Sequence, residues 1–277
     1  MGDPLYIDRD GHRTWFKWHR GRRKASDPVF TGMRILEAMR LGASVEVDLV
    51  IHGDHGCAIL HNLSLEEETT GSGLVRDTSA ETLRRLHLRG NDGHPLPDHV
   101  MLLEDLCDLL VRNPPHPDAL LQLDFKEDLA ALDPLTIENF AASVGPVAAH
   151  MIISGGDANA ISLLANSAQM RMGYDPSDEA RFRAALGDKT LQDFVDQAVA
   201  ALPGTDLIYL YWEIVTRSAD AGFDIVQAFH KAGKRVDAWT IRQVDSTSLA
   251  QVERLLDLKV DQITTDDPEG LAAALNA

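Results

Sequence analysis

The sequence predicts an α/β fold, a TIM (β/α)8 barrel spanning residues 1–277 as one domain, with a small insertion at about residues 53–116 after the second strand. Three observations predict it. Short apolar runs alternate with longer amphipathic stretches, the order of β-α units around a mainly parallel sheet. The short runs number about eight, which is what a closed barrel of this type requires. A chain of 277 residues is long enough for one large core.

The strands are expected at Trp15–His19, Ser44–Leu49, Leu120–Phe125, Met151–Ser154, Gln169–Gly173, Leu207–Tyr211, Arg235–Thr240 and Gln262–Thr265. Helical spacing of apolar residues runs over Phe30–Leu41, Ala80–Leu88, Leu102–Val111, Ile137–Ala142, Asn159–Ala165, Leu191–Ala201, Ala219–Ala232, Ser248–Leu256 and Gly270–Leu275. The last follows Asp267-Pro268, a helix-start signal. About 70 residues separate the second and third strands. They hold the short run Ala58–His61 and then polar sequence through Thr69-Thr70-Gly71-Ser72-Gly73. A connection of that length is usually functional, and in a barrel it emerges at the C-terminal face.

Composition narrows the function. Hydrophobic content of 44% and charged content of 25% are ordinary for a globular protein, and no uncharged apolar run is long enough for a transmembrane helix. Met1–His12 lacks the layout of a signal peptide, so a cytoplasmic location is expected. Cys57 and Cys107 make neither a disulfide framework nor a zinc site. A net charge of −17 argues against a nucleic-acid partner and, more weakly, against stable association with an anionic membrane. A small anionic substrate is still compatible, because local cations can overcome the global field. Arg20, Arg22, Arg23 and Lys24 form the one strongly basic stretch, with a solvated loop as its plain alternative.

The chemistry-bearing residues follow from strand alternation. Glu46 and Asp48 lie two apart and share a face, opposite Val45, Val47 and Leu49. Two acids pointing into a barrel repel each other and lose hydration unless a cation offsets both. A hard divalent ion, Mg²⁺ or Ca²⁺, prefers such oxygen ligands. Asp124 and Lys126 form a second same-face pair, where Asp124 completes a metal site and Lys126 meets a phosphate oxygen. An internal salt bridge is the competing reading. His19 and His61 end apolar runs beside these acids. Histidine titrates near neutrality, so two imidazoles can divide proton transfer. Arg171, Tyr174 and Asp175 at the fifth strand, and Tyr211 and Glu213 at the end of the sixth, are expected at the barrel mouth.

His19-Arg20-Gly21, Glu46-x-Asp48 and His61 together resemble the glycerophosphodiester phosphodiesterase family. His61-Asn62-x-x-Leu65, Gly71-x-Gly73-x-Val75-x-Asp77-Thr78 and Leu96-Pro97 are similar to that family's insertion. Ala238-Trp239-Thr240 and Asp261-Gln262-Ile263-Thr264-Thr265-Asp266-x-Pro268 are similar to its last two strands. The resemblance runs in order from His19 to the C-terminus. It implies a TIM barrel with one divalent cation held by Glu46, Asp48 and Asp124, His19 and His61 as acid and base, Arg20 and Lys126 on the phosphate, and Trp239 lining the substrate pocket. With the positions above, Arg171 and Tyr211 join the expected substrate contacts.

Four departures bear on specificity. Pro28-Val29-Phe30-Thr31 stands where the family has Pro-Glu-Asn-Thr. His61-Asn62 replaces His-Asp, Glu67 replaces an arginine, and Asp124 replaces a glutamate, as in the related sphingomyelinase D/phospholipase D toxins. The expected activity is hydrolysis of a small soluble glycerophosphodiester-like or sugar phosphodiester to an alcohol and a phosphomonoester. The route runs through a cyclic phosphate or by direct attack of water. An opine phosphodiester of the agrocinopine type falls within that class. A reading of another class is a non-catalytic barrel that binds a phosphorylated ligand.

Overall fold

The computed structural model describes residues 5–276. Met1–Pro4, the start of the stretch read above for a targeting signal, and Ala277 lie outside the described residues. The strands are β1 Tyr6–Arg9, β2 His12–Trp18, β3 Ser44–Ile51, β4 Cys57–Ile59, β5 His87–Arg89, β6 Pro95–His99, β7 Leu120–Phe125, β8 Met151–Gly155, β9 Arg171–Tyr174, β10 Leu207–Tyr211, β11 Arg235–Ile241 and β12 Gln262–Thr265. Eight of them run parallel in the order β2-β12-β11-β10-β9-β8-β7-β3, and the β2–β3 pairing closes the ring. This is the TIM barrel the sequence predicts. β1 adds antiparallel to β2, β4 adds antiparallel to β3, and β5 and β6 form a separate hairpin.

The helices are α1 Gly32–Leu41, α2 Ala80–Leu83, α3 Leu103–Arg112, α4 Pro134–Val144, α5 Ala158–Ala168, α6 Glu179–Gly187, α7 Leu191–Ala201, α8 Trp212–Asp220, α9 Ile225–Lys231, α10 Ser246–Asp257 and α11 Pro268–Leu275. Period-two alternation separates two environments. Phe16, Trp18, Val45, Val47, Leu49, Leu121 and Leu123 are buried in the main apolar core around the barrel. Each such side chain contributes about 1.5–3 kcal/mol when removed from water. The opposite parity, Lys17, Glu46, Asp48, Gln122 and Asp124, points inward and is polar. A small apolar plug, Ile152, Leu207 and Tyr209 against Leu120 and Trp239, fills part of the interior. Register sets the site: Asp48, Asp124 and Ser154 are level on β3, β7 and β8, and Glu46, Gln122 and Ile152 are level one pleat below.

Several boundaries differ from the expected ones, each for a local reason. The first strand ends at Trp18, and His19 belongs to a short 3-10 turn. Gln169 is not in a strand. It takes a left-handed conformation (φ 52°) that caps α5, so β9 starts at Arg171. The helix expected over 80–88 is a single turn. His87–Arg89 leaves it to pair with β6, a long-range pairing that outweighs local helical spacing. The 219–232 stretch is two elements, broken at Gly222 (φ 81°) and restarted where the Asp224 carboxylate accepts from the Gln227 N–H at 2.8 Å. Helix α6 was not expected. It buries only Phe182 and Ala185, too little for a visible period. Among the described residues no helix is long and apolar enough to cross a membrane.

Candidate active site

β2 ends with Trp18 buried on the outside of the barrel, and the chain turns at once through His19, Arg20 and Gly21. Gly21 has φ +72°, and a Cβ there would lie 2.9 Å from Ile35 Cγ1, so the turn requires glycine. The turn aims the Arg20 backbone N–H at Glu46 Oε2 (2.8 Å) and places Arg20 Nε 3.2 Å from Asp48 Oδ2. His19 Nδ1 bonds Asp266 Oδ1, just past β12, and Arg22 donates to the same oxygen. With Nδ1–H donated to that carboxylate, Nε2 keeps its lone pair and sits 4.0 Å from Glu46 Oε2. Burial lowers the His19 pKa below its ordinary value against the opposing pull of Asp266, which favours a neutral ring.

Glu46, Asp48 and Asp124 offer carboxylate oxygens that all lie within 4.8 Å of one another. Unit charges that close repel by about 3–4 kcal/mol at an effective dielectric of about 20. Burial first, and Asp48 second, push the Glu46 carboxyl well above the usual range. Burial alone would also raise Asp48, but the charges of Lys126 and Arg20 outweigh it and hold that carboxyl low. Lys126 Nζ lies 2.6 Å from Asp48 Oδ1 and also bonds Asp124. Burial opposes the Lys126 charge, yet Asp124, Asp48 and Glu46 together keep its pKa raised. The donors are all oxygen, crowded and partly buried, which is the chemistry a hard divalent cation takes.

Asp124 is braced from below. Ser154 Oγ donates to Asp124 Oδ1 at 2.9 Å, and Gln122 Nε2 donates to Ser154 Oγ at 2.8 Å. Lys17 donates to Gln122 Oε1, stands 3.0 Å from Asp237 Oδ2 and lies over the Tyr209 ring at 4.3 Å. Thr264 Oγ1 donates to Asp237 Oδ1 at 2.7 Å. Lys17 and Asp237 are 1% and 0% exposed, so this ion pair is fully buried. Breaking such a pair by removing one partner costs about 3–5 kcal/mol.

His61 follows β4 at the barrel rim. The His61 and Asn62 backbone N–H groups donate to Glu68 at 3.0 and 2.7 Å. His61 Nδ1 pairs with Asn62 Oδ1 at 3.0 Å, and Asn62 Nδ2 donates to Glu67 Oε2 at 2.9 Å. A cavity of about 180 Å³ is lined by His19, His61, Arg20, Lys126, Glu46 and Asp124, with Trp239 on its wall and Asp48 packed against Arg20 and Lys126.

The family model of the glycerophosphoryl diester phosphodiesterase family matches residues 19–270. The chain belongs to this family. It is by that membership a phosphoric diester hydrolase. No match was found among the curated proteins. Solved structures share the fold at low identity. A protein of Silicibacter pomeroyi assigned as a glycerophosphoryl diester phosphodiesterase is 20% identical, with 95% of this chain and 94% of that one covered and a TM-score of 0.72. Glycerophosphodiester phosphodiesterase of Thermotoga maritima is 19% identical, with 95% and 99% covered and a TM-score of 0.66. An Oleispira antarctica phosphodiesterase in complex with the product sn-glycerol-3-phosphate is 18% identical, with 95% and 96% covered and a TM-score of 0.64.

Two of the departures noted in the sequence, Asn62 and Glu67, are in contact in the structure. The Asn62 amide can both accept from His61 and donate to Glu67, so a chain of hydrogen bonds stands behind the imidazole. At another departure, Phe30 is buried with its ring centroid 5.8 Å from the Arg20 guanidinium.

Arg171 and Tyr211, both expected as substrate contacts, are not among the residues lining this cavity. Arg171 opens β9 at the N-terminal end of the barrel, bonds Asp206 at 2.8 Å and is not on the cavity wall, because the strand starts two residues later than expected. Tyr211 lies beside the cavity, its ring 5.4 Å from Trp239 and its hydroxyl donating to Glu213 at 3.1 Å. Sequence reasoning missed Lys17, Gln122, Asp237 and Arg242. A signal existed for the first three: Lys17 shares strand parity with His19, Gln122 with Asp124, and Asp237 with Trp239.

Asp175 also faces the cavity. Burial pushes its carboxyl up to about 6, against hydrogen bonds from Ser177. The group is protonated in folded and unfolded chains below about pH 4. Between about pH 4 and 6 the unfolded chain ionises first, so stability falls as pH rises. The two-unit gap corresponds to about 3 kcal/mol. In urea unfolding of metal-free protein, Asp175→Asn should gain stability relative to wild type from pH 4 to 7 by up to that amount. A constant difference across that range would show that Asp175 titrates normally.

Proposed function

We propose that the protein hydrolyses a small glycerophosphodiester or sugar phosphodiester to an alcohol and a phosphomonoester, using a divalent cation, Mg²⁺ or Ca²⁺, held by Glu46, Asp48 and Asp124. The observation that carries this reading is the meeting of His19 and His61 with the acidic cluster, Arg20 and Lys126 around one cavity. When bound there, the cation supplies charge neutralisation for the phosphoryl oxygens. Arg20 and Lys126 add positive charge on the same group. His19 Nε2 is the proton acceptor: burial favours its neutral ring, and its other nitrogen is tied to Asp266. It takes the proton of the attacking hydroxyl as the new oxygen–phosphorus bond forms. His61 gives a proton to the alcohol oxygen as the old bond breaks. The attacking group is a hydroxyl adjacent to the phosphate, giving a cyclic phosphate that water then opens.

Phosphorus NMR on a panel of glycerol, sugar and choline phosphodiesters with each metal tests the activity. Conversion of at least one diester to a monoester is expected, and a panel left intact by the metal-loaded protein would defeat the proposal. In ¹⁸O-water the first product should carry no label. Label in that product would instead indicate direct attack by water.

A further inference from the structure

Trp239, Thr240 and Arg242 are walls of two spaces at once. On one side is the catalytic cavity of about 180 Å³, and on the other a second pocket of about 380 Å³ whose far wall carries Tyr211 and Trp212. Binding sites for whole small molecules run to roughly 300–1,000 Å³. The first cavity is therefore sized for the phosphodiester and little more. A larger alcohol would extend beyond it, and the second pocket lies directly across the shared wall.

The shared wall has a chemical bias. Arg242 is exposed and, among the described residues, makes no hydrogen bond, ion pair or ring contact. The cations assigned above to the transferring phosphate are each ion-paired at the metal cluster, Arg20 with Asp48, and Lys126 with Asp48 and Asp124. The acid in the second pocket, Asp245, is committed too, accepting from the Thr247 and Ser248 N–H groups at 2.9 and 2.8 Å to cap α10. In a chain of net charge −17, an unpaired arginine at the junction is a local positive site in a repelling field. It lines the same cavity as His19 and His61, so it lies within the catalytic neighbourhood.

We infer that Arg242 binds an anionic group, a carboxylate or phosphate, on the alcohol that extends into the second pocket, so the preferred substrate is a phosphodiester with a second negative charge. The guanidinium offers paired N–H donors to such a group, and charge-assisted hydrogen bonds of this kind are roughly twice as strong as neutral ones. This rests on the proposed diesterase reading for the placement of the phosphate, and the test separates the two.

Glycerophosphoglycerate and glycerophosphoglycerol differ by a carboxylate in place of a hydroxymethyl group. Their affinities for the metal-loaded His61→Ala protein can be measured by calorimetry, and their kcat/KM values with the wild-type enzyme. The carboxylate diester should bind at least about tenfold more tightly and be turned over with the same preference. Arg242→Gln in the same backgrounds should abolish the difference, and Arg242→Lys should restore part of it. Equal binding of the two diesters, or a preference that survives Arg242→Gln, overturns the inference. Turnover of both without preference sinks the inference and leaves the diesterase reading standing. Arg242-dependent binding of the acid with no turnover of either diester does the reverse. Failure of both diesters to bind sinks both.

Discussion

His19→Ala and His61→Ala are each expected to lower turnover of a natural phosphodiester by about 10²–10⁴-fold, the range a single general acid or base contributes. The two losses should differ in kind. A diester with a p-nitrophenol leaving group departs as a stable phenolate and needs no proton. His61→Ala should recover much of its activity on that substrate, because His61 is the proton donor. His19→Ala should stay impaired, because the attacking group still needs its proton removed. The pattern follows from the bonds behind each ring, a carboxylate at His19 and an amide at His61. Neither ring is part of the apolar core, so far-UV circular dichroism should be unchanged. Equal rescue of both variants would refute the division of roles, and near-normal activity of either with the natural diester would remove that residue from the mechanism.

How far this site could be read before folding depended on how each residue is placed. Glu46, Asp48, Asp124 and Lys126 sit on strands, where a period of two fixes the side-chain face, so spacing alone put them on one side. The same rule delivers Lys17 and Gln122, and they were missed only because an inward lysine or glutamine reads as ordinary strand polarity until its partner is known. Arg171 shows the limit at strand ends. The left-handed cap at Gln169 moved one strand by two residues, enough to carry Arg171 to the far end of the barrel. Arg242 follows β11 directly, and nothing local distinguishes it. Its lack of a partner depends on Asp245 being held by the local cap of α10 and on Asp266 being held by His19, a contact only the closed barrel reveals. The Asn62–Glu67 contact was likewise hidden, since neither residue lies on a strand whose period would pair them.

Removal of divalent metal with EDTA is expected to abolish phosphodiester cleavage and lower the melting temperature. A ligand at about 100 times its dissociation constant stabilises the folded state by about 2.7 kcal/mol, which for a chain of this size is a shift of roughly 5–10 °C. Substitution at the cluster separates this from a general effect of salt. Burial and Asp48 together favour a protonated Glu46 carboxyl in the metal-free protein, so Glu46→Gln replaces it with a neutral group of the same shape. The amide oxygen can still accept the Arg20 backbone N–H that Glu46 Oε2 accepts at 2.8 Å. The metal-free melting temperature should therefore hold or rise, while the increase on adding Mg²⁺ or Ca²⁺ should largely vanish. Asp48→Asn should behave differently. It strips the counter-charge from Lys126 and Arg20, so it should destabilise the metal-free protein as well as lose the metal response. A full metal-induced shift in Glu46→Gln would place the ion elsewhere, and an EDTA-treated enzyme that is active and free of metal by elemental analysis would remove it from the chemistry altogether.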